Sequence, residues 1–135
     1  MRYLPTLIIS LLLAVASPAG GRGIKNIGIP AIRNFPRGLY RASTQNWSVV
    51  QDHRDLLYFA NNDGLLEYDG TYWVLHQFVE PALTRSLATD GKGTLYAGMV
   101  NEFGMVRPDA RGKLQFTSFR QGLQGFPNDL GDIWR

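Results

Sequence analysis

Cysteine is absent from all 135 residues. That removes disulfide bonds, cysteine-ligated zinc, a thiol nucleophile and a lipid-bearing cysteine behind an export signal. Charge of one sign is not concentrated either. The formal net charge is +3, and Arg22, Lys25, Arg33, Arg37, Arg41, Arg54, Arg85 and Lys92 are scattered along the chain. Without a Lys- or Arg-dominated run, neither a nucleic-acid groove nor a polybasic membrane patch is supported. The two histidines, His53 and His76, sit on different segments with no metal-site spacing. Charged residues make up 19% and apolar ones 44%, the balance of a packed chain rather than a disordered one.

One long hydrophobic run is present. Met1-Arg2 gives a positive start, Leu7 to Ala16 an apolar core, and Ser17-Pro18-Ala19 small residues before Gly20. This is the pattern of a signal peptide over residues 1–19, cut between Ala19 and Gly20, with export to the periplasm as the expectation. An uncleaved anchor is the rival. Leu4 to Ala19 supplies 16 residues, short of the ~20 that cross a bilayer.

Beyond the signal no helical periodicity is visible. Residues 20–46 are rich in Gly, Pro and Arg and read as an irregular lead-in, where Ile24, Ile27, Ile29 and Ile32 allow one short strand at most. From Trp47 the pattern sharpens into strands at 47–51, 56–60, 65–68 and 71–78, separated by Asp52–Asp55, Asn61–Gly64 and Asp69-Gly70. The apolar run at Leu56–Asn61 predicts a central strand paired on both sides. Asp69-Gly70 predicts a tight type I′ hairpin.

A degenerate echo follows over 85–119. Asp52 to Asp90 is 38 positions, Tyr58 to Tyr96 is 38, and Gly64 to Gly104 is 40. A period near 40 built from short strands is the mark of β-propeller blades. The expected fold is therefore all-β: two four-stranded antiparallel meanders, 47–78 and 85–119, and the start of a third at 131–135, where Trp134 takes the place of Trp47. The repeat residues are Trp47, Asp52, Tyr58, Gly64, Tyr68, Asp69, Gly70, Trp73, Asp90, Tyr96, Gly104 and Trp134. Their expected role is mechanical, with aspartates and glycines in turns and aromatic rings between blades. Two blades and a stub leave one blade face open, and bare aromatic surface is expected near Tyr58, Tyr68 and Trp73.

The blocks Asn46–Asp52, Leu57–Asn61, Gly64–Gly70 and Trp73, with Arg85-Ser86-Leu87 and Asn101–Gly104, resemble the two-component regulator propeller family. More narrowly, they resemble sensors whose signal peptide leads into Gly28-Ile29-Pro30 and then Asn34-Phe35. The likeness spans residues 28–135. It implies a periplasmic propeller sensor, followed in full-length relatives by a triple-tyrosine β-sandwich, a transmembrane helix and a histidine kinase or DNA-binding output. Asp55 departs from the family's glycine after Arg54, and Asp tolerates the left-handed region the turn requires.

No catalytic, cofactor-binding or metal-ligating residue is assigned, no cofactor is expected, and the ligand-binding residues are not legible. Asp90-Gly91-Lys92-Gly93-Thr94 lacks phosphate-loop spacing and leads into a strand. Asn46-Trp47-Ser48 fits a glycosylation sequon but belongs to the repeat. Asp52, Asp55, Asp63 and Asp69 are turn residues, and no two are placed as an acid/base pair. The expected partners are a small-molecule or glycan ligand, further blades and downstream signalling domains. An exported propeller lyase or glycosidase is the alternative. The codons after 135 would separate the two readings, through a triple-tyrosine sandwich and membrane span or through more blades carrying a catalytic cluster.

Overall fold

Short apolar runs bounded by Asp- and Asn-led turns become strands, and the computed structural model has eight of them among its described residues. Those residues are 28, 31–123, 125 and 129–134. The signal segment, the Ala19/Gly20 junction and Ile24, Ile27 and Ile29 lie outside them. All the elements belong to one unit, Arg33–Arg135.

Strands β1 (Asn46–Gln51), β2 (Leu57–Asn61), β3 (Gly64–Tyr68) and β4 (Trp73–His76) form one antiparallel sheet in sequence order. A second sheet repeats the order with β5 (Thr84–Thr89), β6 (Leu95–Met99), β7 (Phe103–Pro108) and β8 (Leu114–Ser118). The chain is thus mostly β, as expected, and β2 is central, pairing with β1 and β3. Two departures are local. Residues 37–40 of the lead-in make a four-residue helix, α1. Residues 131–134 make a single bridge, Asp132 to Val100, rather than a strand.

Pairing fixes the repeat length more sharply than sequence matching. Val50 pairs with Tyr58 and Ala88 with Tyr96; Tyr58 pairs with Glu67 and Tyr96 with Met105. Every such correspondence over the first three strands is 38 residues. Gly104 therefore matches Leu66, not Gly64, and the interval of 40 read from the sequence is corrected. The two glycines do different work. Gly64 closes the β2–β3 turn at φ 142. Gly104 lies within a strand where a Cβ would meet the Thr117 carbonyl.

Three hairpins share one loop design. Asp52, Asp90 and Asp109 each accept at Oδ1 the amides two and four residues on: Arg54 and Leu56, Lys92 and Thr94, Arg111 and Lys113. Their own amides donate to the carbonyls of Leu56, Thr94 and Lys113. The residue before each of those carbonyls turns left-handed: Asp55 at φ 65, Gly93 at 104 and Gly112 at 80. Asp55 thus keeps the turn without glycine, as Asp can. The β3–β4 tip is different. Its last pair is Tyr68 with Trp73, Gly70 has a positive φ and Asp69 does not. A type I′ turn needs both central residues at positive φ, so the expected Asp69-Gly70 turn does not form. Instead Asp69 Oδ1 accepts the Thr71 and Tyr72 amides.

Residues opposite one another in a pair share a face. The face of the first sheet bearing Val50, Tyr58 and Leu65 packs on the face of the second bearing Leu95, Ala97 and Val106, and this is the core. The other face of the first sheet carries Phe59, Tyr68 and Trp73. Lead-in residues cover it, Phe35 edge-on to Tyr68 and Trp73 at 5.2 Å each and Tyr40 5.7 Å from Trp73.

Candidate functional site

A β-bulge interrupts β1 between Asn46 and Ser48, and another interrupts β5 between Thr84 and Ser86. A bulge adds one unpaired residue and re-aims its side chain. The residues so re-aimed are Trp47 and Arg85, and their side chains meet. The Arg85 guanidinium lies 4.9 Å from the Trp47 ring and 5.2 Å from that of Trp134. The two indoles are edge-on at 5.1 Å. Asn62 Oδ1 accepts from Trp47 Nε1 at 2.8 Å and from Arg85 Nη1 at 3.0 Å. Asp132 Oδ2 is 3.2 Å from Arg85 Nε, yet that buried N–H makes no hydrogen bond. The contact is therefore charge attraction without N–H alignment.

Cation–π contacts of this kind gain strength as water is excluded. Here the cation is mostly buried while both rings stay partly open, Trp47 at 40% and Trp134 at 47% exposure. The cluster stands at the rim of a cleft of ≈ 1030 Å³ whose wall includes Tyr96, Phe103, Phe119 and Ile133. It holds one positive and one negative charge, two aromatic surfaces and an amide. Such a set can orient a polar ring-shaped molecule but offers no nucleophile and no general base aimed at open space.

A second polar cluster gathers around the buried Tyr58 hydroxyl of the first sheet. Arg54 bridges Asp52 (Nη2 to Oδ2, 2.7 Å) and the Tyr58 hydroxyl (3.0 Å), and His76 Nε2 meets Glu67 Oε2 at 2.8 Å. Burial, reinforced by the negative Glu67, pushes the Tyr58 phenol up to about 12. Burial also opposes the Asp52 carboxylate, but the Arg54 side chain and the amides of Arg54 and Leu56 outweigh it, so the carboxyl sits below its ordinary value. Asp69, Asp90 and Asp109 are held low by backbone amides, first those of Tyr72, Lys92 and Arg111 respectively. Tyr58 is 1% exposed, whereas the Arg54 side chain that bridges it to Asp52 is 43% exposed.

The repeat residues fall into separate places. Trp47 and Trp134 come together, through an arginine that the repeat list lacked. The signal for it was present, since Arg85 stands 38 positions after Trp47. Tyr58 fills the core between the sheets. Tyr68 and Trp73 stack at 4.3 Å on the opposite face. Asp52, Asp69, Gly70 and Asp90 are turn residues. Tyr58 and Tyr68 are buried, and among the described residues the exposed aromatic rings are Tyr72, beside Trp73, and Trp47, Tyr96, Phe119 and Trp134. A second groove of ≈ 380 Å³ lies between the lead-in and the Phe59–Trp73 face. Among the described residues no helix is long and apolar enough to cross a membrane. No family model matches the chain, and no curated protein or solved structure matches it either.

Proposed function

We propose that this chain is the N-terminal part of an exported, ligand-sensing β-propeller of a two-component-type regulator. The two meanders are its first blades and residues 131–134 open a third. The observation that carries the reading is the 38-residue pairing register common to both sheets. Strand-for-strand repetition of a unit that packs face to face is how propellers are built. The positions corresponding to Trp47 in the two later units, Arg85 and Trp134, meet at one rim. A rim shared by successive units suits a small-molecule or glycan ligand whose binding alters their relative placement, and so shifts a signalling equilibrium. On this reading the segment binds and does not catalyse. The signal segment delivers it to the periplasm, and downstream domains carry the output.

The test has two parts. N-terminal sequencing of the exported product should begin at or near Gly20. Deletion of the gene should abolish transcriptional induction by one member of a panel of soluble oligosaccharides while sparing the others. Hydrolysis or elimination of a panel member by the purified product would instead make it an enzyme. Recovery of intact Met1 in a membrane fraction would replace cleavage with anchoring.

A further inference from the structure

The Arg85 guanidinium is satisfied on one edge and not on the other. A guanidinium carries N–H donors in a rigid planar fork and no acceptor of its own. Nη1 donates to Asn62 Oδ1 at 3.0 Å. The opposite edge is formed by Nε and Nη2, and the Asp132 carboxylate lies beside it with Oδ2 3.2 Å from Nε. Nε nevertheless makes no hydrogen bond among the described residues. A buried donor in that state has given up water without a replacement. The main chain explains the misfit. Asp132 bridges to Val100, and both of its neighbours are tied down: Gly131 accepts from the Asn101 amide, and Ile133 donates to the Met99 carbonyl and accepts from Ser86 Oγ at 2.9 Å. With its backbone pinned on both sides, the short Asp132 side chain reaches the edge but does not come into line with it.

We propose that the Nε–Nη2 edge of Arg85 seats the carboxylate of a ring-bearing ligand, which displaces Asp132 and lays its ring against Trp47 and Trp134. The proposal rests on the reading of this rim as a ligand site and adds the chemistry of what it binds. A free carboxylate has no tether, so it can meet both N–H groups in the parallel, bidentate arrangement that Asp132 does not reach. Two carboxylates on one edge repel each other, so the ligand and Asp132 exclude one another. Asp132 is 33% exposed, and the group to be displaced is therefore itself open to solvent. Both indoles keep free surface beside the cation, and an aromatic or sugar ring packs well on an indole. A cationic ligand would be repelled by Arg85, and an uncharged one would forgo the charge-assisted bonds. The ligand class is thus a cyclic organic acid, either aromatic or sugar-derived.

The test is calorimetric titration of the full gene product as exported. The probes are benzoate and D-glucuronate, each beside its uncharged amide, benzamide or D-glucuronamide. At least one acid should bind at millimolar concentration or below, and which one binds tells the aromatic source from the sugar. Its amide should bind at least about tenfold more weakly, because the bidentate charged pair is lost. Binding by neither acid, or equal binding of acid and amide, would overturn the proposal. Arg85→Lys keeps the charge and loses the fork, so it should weaken the acid about tenfold, and unchanged affinity would count against the seat. Asp132→Asn removes the competing charge and should tighten the acid several-fold. Weaker or unchanged binding there would make Asp132 no competitor and refute the displacement. If Arg85→Lys unfolds, the comparison of acid with amide on the unaltered protein still decides. An amide that binds as well as its acid would leave the rim a ligand site and remove only the carboxylate. Acid binding by a protein whose deletion changes no transcriptional response would sink the sensor reading and leave the seat standing.

Discussion

The first and second sheets are built from one pattern and differ in what lies on each side. The first is covered on both faces, by the second sheet and by residues 33–40. The second is covered on one by the described residues. Tyr58 and Tyr96, identical in residue type and pairing position, measure the contrast at 1% and 38% exposure. Strand position thus decides which way a side chain points, and the neighbouring layer decides whether it is buried. The polar content differs at two positions: the paired Glu67 and His76 of the first sheet correspond to Met105 and Phe119 of the second, whereas Asp52, Arg54 and Tyr58 correspond to Asp90, Lys92 and Tyr96.

The sharpest way to break this comparison is to truncate both tyrosines. Tyr58→Ala should cost about 3–5 kcal/mol through lost packing, and Tyr96→Ala less than about 1 kcal/mol in the same chain. Denaturant titration of both variants is the measurement. Equal losses would mean that Tyr96 is already enclosed.

Glycine offers the next contrast. Gly104→Ala should destabilise by about 1–3 kcal/mol, because its Cβ would strike the Thr117 carbonyl, which cannot rotate away. Gly70→Ala meets no atom within 4 Å, so only its positive φ resists the change and the loss should be smaller. A thermal shift larger for Gly70→Ala would show that the β7–β8 ladder yields.

Asp52→Ala should cost about 1.5–3 kcal/mol, the range for hydrogen bonds to a charged group, since Arg54 and the Arg54 and Leu56 amides lose their acceptor. The solvent-exposed Asp90, in the same loop of the second sheet, should lose less. Acid extends the test. Asp52, Asp69, Asp90 and Asp109 all have folded-state values below the ordinary 3.8. Their contribution is therefore fully present above the unfolded-state value and lost as pH falls through the folded-state values. Stability measured from pH 7 downward should stay level with respect to these groups until about pH 5 and then decline. A rise in stability over the acid range would contradict the assigned amide bonds.

The smallest expected effect is a gain. Asp55→Gly should stabilise by up to about 1 kcal/mol, because glycine holds φ 65 without strain. Loss of the Gln51 bond to Asp55, at 3.3 Å, subtracts little. Destabilisation would show that the Asp55 side chain supports its loop.

The sequence by itself determined the strands, their order and most of the turns. These depend on neighbours within a few residues: an apolar run between Asp-led loops can do little but extend, and an aspartate accepts its own downstream amides wherever the chain folds. Asp55 illustrates this, since it stands where the resembled family has glycine and takes the left-handed φ of 65 that the turn requires. The Gly64–Gly104 match failed for the converse reason. Equality of residue type carries no register, and only pairing across β6 and β7 could assign Gly104 to the position of Leu66. The cluster of Trp47, Arg85 and Trp134 was legible as a spacing but not as a contact, because two bulges re-aim the first two side chains and a distant segment supplies the third. Tertiary structure alone decided which of two equivalent tyrosines became core. Burial is a property of the opposing layer, and no periodicity within a strand can encode what will lie across from it.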